Sequence, residues 1–153
     1  MRLLPIAAAL LAACAPAPRP VEQAKPEPTS DMTGEDWYRR AVAQLEAMNR
    51  QAADLFERGK TDRAAAIVTD SQDILNRLLS APRPTLEAMQ AVSDCDDLYG
   101  RMLLPNRHYG WARLAFQKNV TRWKAWRPQT PETARRLKRA ADALAECDRL
   151  LER

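Results

Sequence analysis

Residues 85–105 read TLEAMQAVSDCDDLYGRMLLP, and within them Ala88, Val92, Cys95, Tyr99 and Met102 recur at spacings of 4, 3, 4 and 3. That rhythm holds apolar side chains on one face of a 3.6-residue helix and would scatter them over both faces of a strand. Thr85 offers a side-chain oxygen to the first turn and Pro105 stops the run, so the segment predicts one amphipathic helix with both ends marked. Gly100 lies inside it and costs about 1 kcal/mol relative to Ala, which predicts a weakened or kinked last stretch.

Working toward the N-terminus, Trp37, Ala41, Leu45, Met48, Ala52 and Leu55 repeat at helical spacing between a Thr33–Asp36 capping arrangement and Gly59. Ala64, Ile67, Ser71, Ile74 and Leu78 mark a second helix that starts at Thr61 or Asp62 and is ended by Ala81-Pro82-Arg83-Pro84. The two or three residues between these helices force an antiparallel hairpin. Working toward the C-terminus, Tyr109, Ala112, Phe116, Val120 and Trp123 place a fourth helix over 106–126. Thr130, Pro131 and Glu132 are a cap, a first-position Pro and a first-turn acid for a fifth, whose stripe is Leu137, Ala140, Leu144, Cys147 and Leu151. The fold class that follows is all-α: about five antiparallel helices arranged as helical hairpins.

Composition agrees. The 153 residues hold 27 Ala and 18 Leu against 5 Val and 3 Ile, so helix formers swamp the β-branched residues that strands prefer. Such a length supports one ordinary domain and excludes a large multidomain enzyme. A net charge of +4 with 29% charged residues is too mixed for a nucleic-acid-coating protein. One His and three Cys, with no close ligand spacing and no Gly-rich phosphate loop, predict no metal site and no cofactor.

The first residues read as an address. Met1 and Arg2 precede a nine-residue apolar run, Leu3 to Leu11, followed by Ala12, Ala13 and Cys14. Nine residues are about half of the roughly 20 a bilayer crossing needs, so residues 1–13 read as a signal peptide. Residues 14–32 carry Pro16, Pro18, Pro20, Pro26 and Pro28 and almost no large side chain, which predicts a tether reaching roughly 55 Å when extended. The helical domain is then 33–153.

Leu11-Ala12-Ala13-Cys14 resembles the lipobox of bacterial lipoproteins. The resemblance implies a diacylglyceryl group on the Cys14 sulfur, cleavage just before it and acylation of the new amino group. The alternative is an ordinary secretory signal with Cys14 incidental. Ala15 in place of Asp implies, by the same likeness, the periplasmic face of the outer membrane. Multiple acyl chains anchor stably where one would be marginal, so the membrane partner is reached through the lipid.

Ala52, Ala53, Leu55, Gly59, Ala64 and Ile67 resemble the packing positions of a tetratricopeptide hairpin, and Leu98 to Trp126, with Gly110, Ala112 and Phe116, is similar to a second copy. The offset from Ala64 to Ala112 exceeds that family's period of about 34, and its Trp-x-x-Leu-Gly-x-x-Tyr start is missing, so an irregular bundle stands beside it. Asp94 to Arg139 also resembles part of a family of exported bacterial proteins, a likeness that implies no activity.

Export would place Cys95 and Cys147 in an oxidising compartment, where thiols able to meet form a disulfide. Closing that loop of about 50 residues would stabilise by roughly 4 kcal/mol on a chain-entropy account. The alternative is two buried thiols acting as small apolar fillers. His108, the single imidazole, sits in a turn, which leaves a Cys–His nucleophile without support.

Charge is unevenly spread. From Arg101 to Arg139 eleven Lys or Arg face one acid, Glu132, whereas Glu87, Asp94, Asp96 and Asp97 cluster without a base. Part of the positive field should be answered by the third helix. Trp111, Lys118, Arg122 and Trp126 share one flank and form a candidate binding patch for a protein partner or an anionic envelope component; the bland reading is core plus a solvated face. Two functions follow: a membrane-anchored helical scaffold or adaptor, by analogy with tetratricopeptide assembly lipoproteins such as pilus pilotins, or an enzyme on envelope polymers using Asp94, Asp96 or Asp97. No catalytic residue is assigned.

Overall fold

Helix ends fall where local chemistry places them. A computed structural model describes residues 31–153, and in it run α1 (Asp36–Glu57), α2 (Thr61–Asp70), α3 (Gln72–Leu79), α4 (Leu86–Leu103), α5 (Tyr109–Ala125) and α6 (Pro131–Leu151). No strand occurs among the described residues, so the class is all-α. The signal peptide, Cys14 and the Pro-rich stretch to Ser30 lie outside the described residues. Asp31 and Met32, read as the end of the tether, belong to the folded part: Asp31 caps a 3-10 turn over Met32–Gly34, and Met32 packs on the core.

Thr85 accepts from the Ala88 N–H at 3.2 Å and Thr130 caps α6 with Pro131 following, as their sequence predicts; Thr133, which the sequence reading does not mark, accepts from the Thr130 N–H in return. Thr33 does not cap α1. Its N–H and hydroxyl donate to the Asp31 carboxylate, and Glu35 precedes α1 with no side-chain cap bond. At the far end Gly59, at φ 73°, lets the Gly59 and Lys60 N–H groups reach the Phe56 and Leu55 carbonyls, closing the turn that starts the hairpin.

The second expected helix is two. At Ser71 the hydroxyl donates to the Val68 carbonyl at 2.8 Å and the Gln72 amide reaches the same oxygen at 3.1 Å. Side-chain donors thus compete for a carbonyl of the helical ladder, and the rod breaks into α2 and α3. Gly100, by contrast, does not interrupt α4, which runs unbroken through it. It is the point of closest approach to α5: a Cβ there would stand 2.7 Å from the Phe116 ring.

Specific contacts fix the directions. Gly100 meets Phe116 while Ser93 meets Asn119 and Trp123, so α4 and α5 are antiparallel. Arg113 meets Asp148 while Trp123 lies under Arg136, so α5 and α6 are antiparallel too. Tyr38 takes the Thr85 N–H on its hydroxyl and Asn49 donates to the Ala91 carbonyl, so α1 and α4 run parallel. Hence α1, α4 and α6 share one direction, and α5 opposes them.

The main apolar cluster joins α1 to α4 through Tyr38, Leu45, Ala52, Val68, Leu78, Val92 and Leu98. A smaller one joins α5 and α6 through Ala112, Phe116 and Cys147. Burying a Phe or Leu side chain of this kind contributes roughly 1.5–3 kcal/mol. The buried face of α1 is rotated from the predicted stripe: Tyr38 and Val42 are buried, and Trp37 is only partly so beneath the Arg77 guanidinium at 4.0 Å.

Cys95 and Cys147 are free thiols, which corrects the expected disulfide. The physical reason is that each helix stripe faces a different neighbour. Cys95 lies in the α1–α4 cluster 3.4 Å from the Ser71 hydroxyl, whereas Cys147 lies in the α5–α6 cluster against Ala112 and Phe116. Both act as the small apolar fillers of the alternative reading.

Candidate functional site

Parallel α1, α4 and α6 enclose a cleft of about 510 Å³. From α1 come Glu46, Asn49, Arg50 and Ala53; from α4 come Gln90, Ala91, Asp94, Asp97, Leu98 and Arg101; from α6 come Arg136 and Arg139. Ala53, Ala91 and Leu98 are the apolar part of the lining and charged groups dominate the rest. Asn49 spends an amide hydrogen on the Ala91 carbonyl at 2.7 Å, which holds α1 against α4.

The acids of the Asp94–Asp97 run are all answered. Asp94 accepts from Arg136 at 2.6 Å, Asp96 from Arg122 at 2.9 Å and Asp97 from Arg101 at 3.0 Å. The first two of these bonds reach from α4 to α6 and α5, which is the internal neutralisation the charge pattern predicts. Burial disfavours the Arg136 charge, but its bonds to Asp94 and Glu132 outweigh that and raise its pKa; the Arg136 bond in turn lowers that of Glu132. Each of the three carboxylates considered for acid–base work is thus held in an ion pair.

Arg139 has no carboxylate partner among the described residues, although it lines the cleft. It is the cleft's one guanidinium so placed; Arg50, Arg101 and Arg136 each stand within 4.0 Å of an acid.

The structure divides the predicted patch. Arg122 is not a surface group: its side chain is 9% exposed, bonded to Asp96 and to the Asn119 side-chain amide oxygen. Trp126 is half-buried, edge-on to the buried Trp123 at 6.4 Å between centroids. Only Trp111 and Lys118 stand in solvent, Trp111 at 65% exposure. Phe116 and Trp123 are core, as the stripe requires, and the Trp123 indole N–H donates to the Ser93 hydroxyl at 2.8 Å. Asn119, the first residue of an Asn-Val-Thr sequence, is buried and donates to the Ser93 carbonyl at 2.9 Å.

Burial pushes both thiols up. For Cys95 the Ser71 hydrogen bond opposes this, and for Cys147 Asp148 and Glu146 add to it. Neither has the electropositive setting that makes a nucleophilic thiolate. Among the described residues no group of three or more His, Cys, Asp or Glu side chains is placed to hold a metal ion, and no helix is long and apolar enough to cross a membrane.

Sequence reading missed the cleft, although its signal is present. Glu46 and Arg50, Asp94, Asp97 and Arg101, and Glu132, Arg136 and Arg139 recur at spacings of three and four, forming polar stripes beside the apolar ones. Comparison of the chain with known protein families, with curated proteins and with solved structures finds no match.

Proposed function

We propose that this chain is a lipid-anchored envelope protein whose helical domain is an adaptor, receiving a carboxylate-bearing segment of a partner protein in the α1/α4/α6 cleft. Support for the anchor comes from the Arg2–Cys14 sequence, with its nine-residue apolar run and lipobox-like end. The parallel run of α1, α4 and α6 supports the hairpin-repeat reading. The observation that carries the adaptor role is Arg139, a cleft guanidinium with no carboxylate among the described residues, in a recess of about 510 Å³ between three helices.

A photo-crosslinker at Gln90, introduced into the full chain in cells, tests the cleft. A discrete adduct with one protein, lost in Arg139→Glu and absent from a crosslinker at Thr121, is the expected result. No adduct, or an equal one from Thr121, overturns the adaptor reading. Incorporation of a labelled fatty acid that disappears in Cys14→Ala tests the anchor separately.

A further inference from the structure

Trp111 and Leu114 stand one turn apart on the outward face of α5, 65% and 50% exposed. At 100° per residue they share a narrow arc with Lys118, which flanks the face of Ala112, Ala115, Phe116, Asn119 and Trp123 that meets the core. Burial usually claims a Trp and a Leu set so close together on a well-formed helix; solvated as a pair they make an apolar step on the surface.

The charge carried by α5 itself has one sign. No Asp or Glu occurs between Asp97 and Glu132, so α5 and both its flanking turns carry only bases. Asp97, Asp148 and Asp96 answer Arg101, Arg113 and Arg122. Arg107, in the turn that opens α5, and Lys118 have no carboxylate partner among the described residues. An exposed indole, an aliphatic side chain and the unpaired Lys118 on one flank of α5, with Arg107 in the turn before it, match the chemistry of a membrane interface, although Lys118 also borders a recess that holds Asp96. The apolar groups enter the headgroup boundary and the bases meet lipid phosphates.

We propose that this face of α5 seats the domain on an anionic bilayer. The proposal rests on the membrane-surface reading above and adds an orientation to it: α5 lies down, and the cleft built by α1, α4 and α6 remains open to a partner. Self-association through the same face is disfavoured by its charge, because a two-fold contact would set Arg107 and Lys118 against their own copies with no acid on α5 to answer them.

The test uses the full chain on vesicles, with a readout confined to Trp111. Its fluorescence is taken as the difference between the parent protein and Trp111→Phe, which removes the contribution of Trp37, Trp123 and Trp126. On phosphatidylcholine vesicles with about one part in four phosphatidylglycerol, brominated lipid should quench the Trp111 difference signal. On phosphatidylcholine alone, where the N-terminal segment still attaches the chain, that signal should stay unquenched, and Lys118→Glu should abolish quenching on the anionic vesicles. Equal quenching on both lipids, none on either, or quenching untouched by Lys118→Glu overturns the proposal. Shielding of Trp111 that grows with protein concentration in the absence of vesicles also overturns it, in favour of a second copy. Loss of the Gln90 adduct with Trp111 still quenched refutes the cleft reading alone.

Discussion

Replacing Gly100 by Ala sets two effects of known size against each other. Ala is the better helix former by about 1 kcal/mol, and α4 runs unbroken through the position, so on propensity alone the variant gains stability. The added Cβ, however, falls 2.7 Å from Cε1 and Cζ of Phe116, roughly 1 Å inside a comfortable carbon–carbon contact. Phe116 is fully buried between Ala112 and Cys147, so the ring has no solvent to retreat into and the helices must part. Overpacking of this kind costs about 1–3 kcal/mol, which leaves a net loss of about 1 kcal/mol. Urea unfolding followed by circular dichroism reads it directly. Combining the change with Phe116→Leu makes room, so the double variant should lose less than the two single losses added, by about 1 kcal/mol. A Gly100→Ala protein more stable than its parent would refute the close approach and return Gly100 to a mere weakness in the helix.

Asp96→Ala strands the Arg122 guanidinium at 9% exposure, and a loss of about 3 kcal/mol in urea unfolding is expected, against at most about 0.5 kcal/mol for Lys118→Glu on the surface. Equal effects would deny Arg122 its structural role. Ser93→Ala removes the acceptor of the Trp123 indole N–H and should cost about 1–3 kcal/mol with a shift in Trp emission. The Cys95 and Cys147 thiols have folded pKa values raised by burial, so the folded state keeps protons that the unfolded chain releases. Their contribution is complete below the unfolded thiol pKa of about 8.5 and is lost as pH rises toward the folded values. The fall in urea midpoint between neutral and alkaline pH should therefore shrink in Cys95→Ala/Cys147→Ala; an unchanged fall would contradict it.

The helices were legible because their information is one-dimensional. A cap such as Thr85 or Thr130, a stop such as Pro82 or Pro105 and a 3.6-residue apolar rhythm all act within a few residues of themselves. The break at Ser71 escaped because Ser71 sits on the predicted stripe and reads there as a small core residue, while the break comes from where its hydroxyl donates. The disulfide failed for a related reason. Periodicity puts Cys95 and Cys147 on apolar faces, and both are buried, but a stripe says that a residue faces some neighbour and never which one.

The same limit governs the surface. Lys118 and Arg122 are one turn apart on α5 and belong to one stretch free of acids, so sequence alone treats them as equivalent cations. What separates them is Asp96, distant in the chain and brought alongside only when α4 and α5 pack antiparallel. Pairing then removes Arg122 from the set of groups that can meet a ligand and leaves Lys118 in it. Applied to all eleven bases between Arg101 and Arg139, the rule leaves Arg107, Lys118, Lys124, Arg127 and Arg139 without a carboxylate among the described residues. Of these, Arg139 lines the cleft while Lys118 shares the Trp111 face of α5. Lys118 and Arg139, equivalent in the sequence, therefore stand at different places on the fold, and charge reversal at Lys118 should alter Trp111 quenching without touching the Gln90 adduct, while reversal at Arg139 should do the converse.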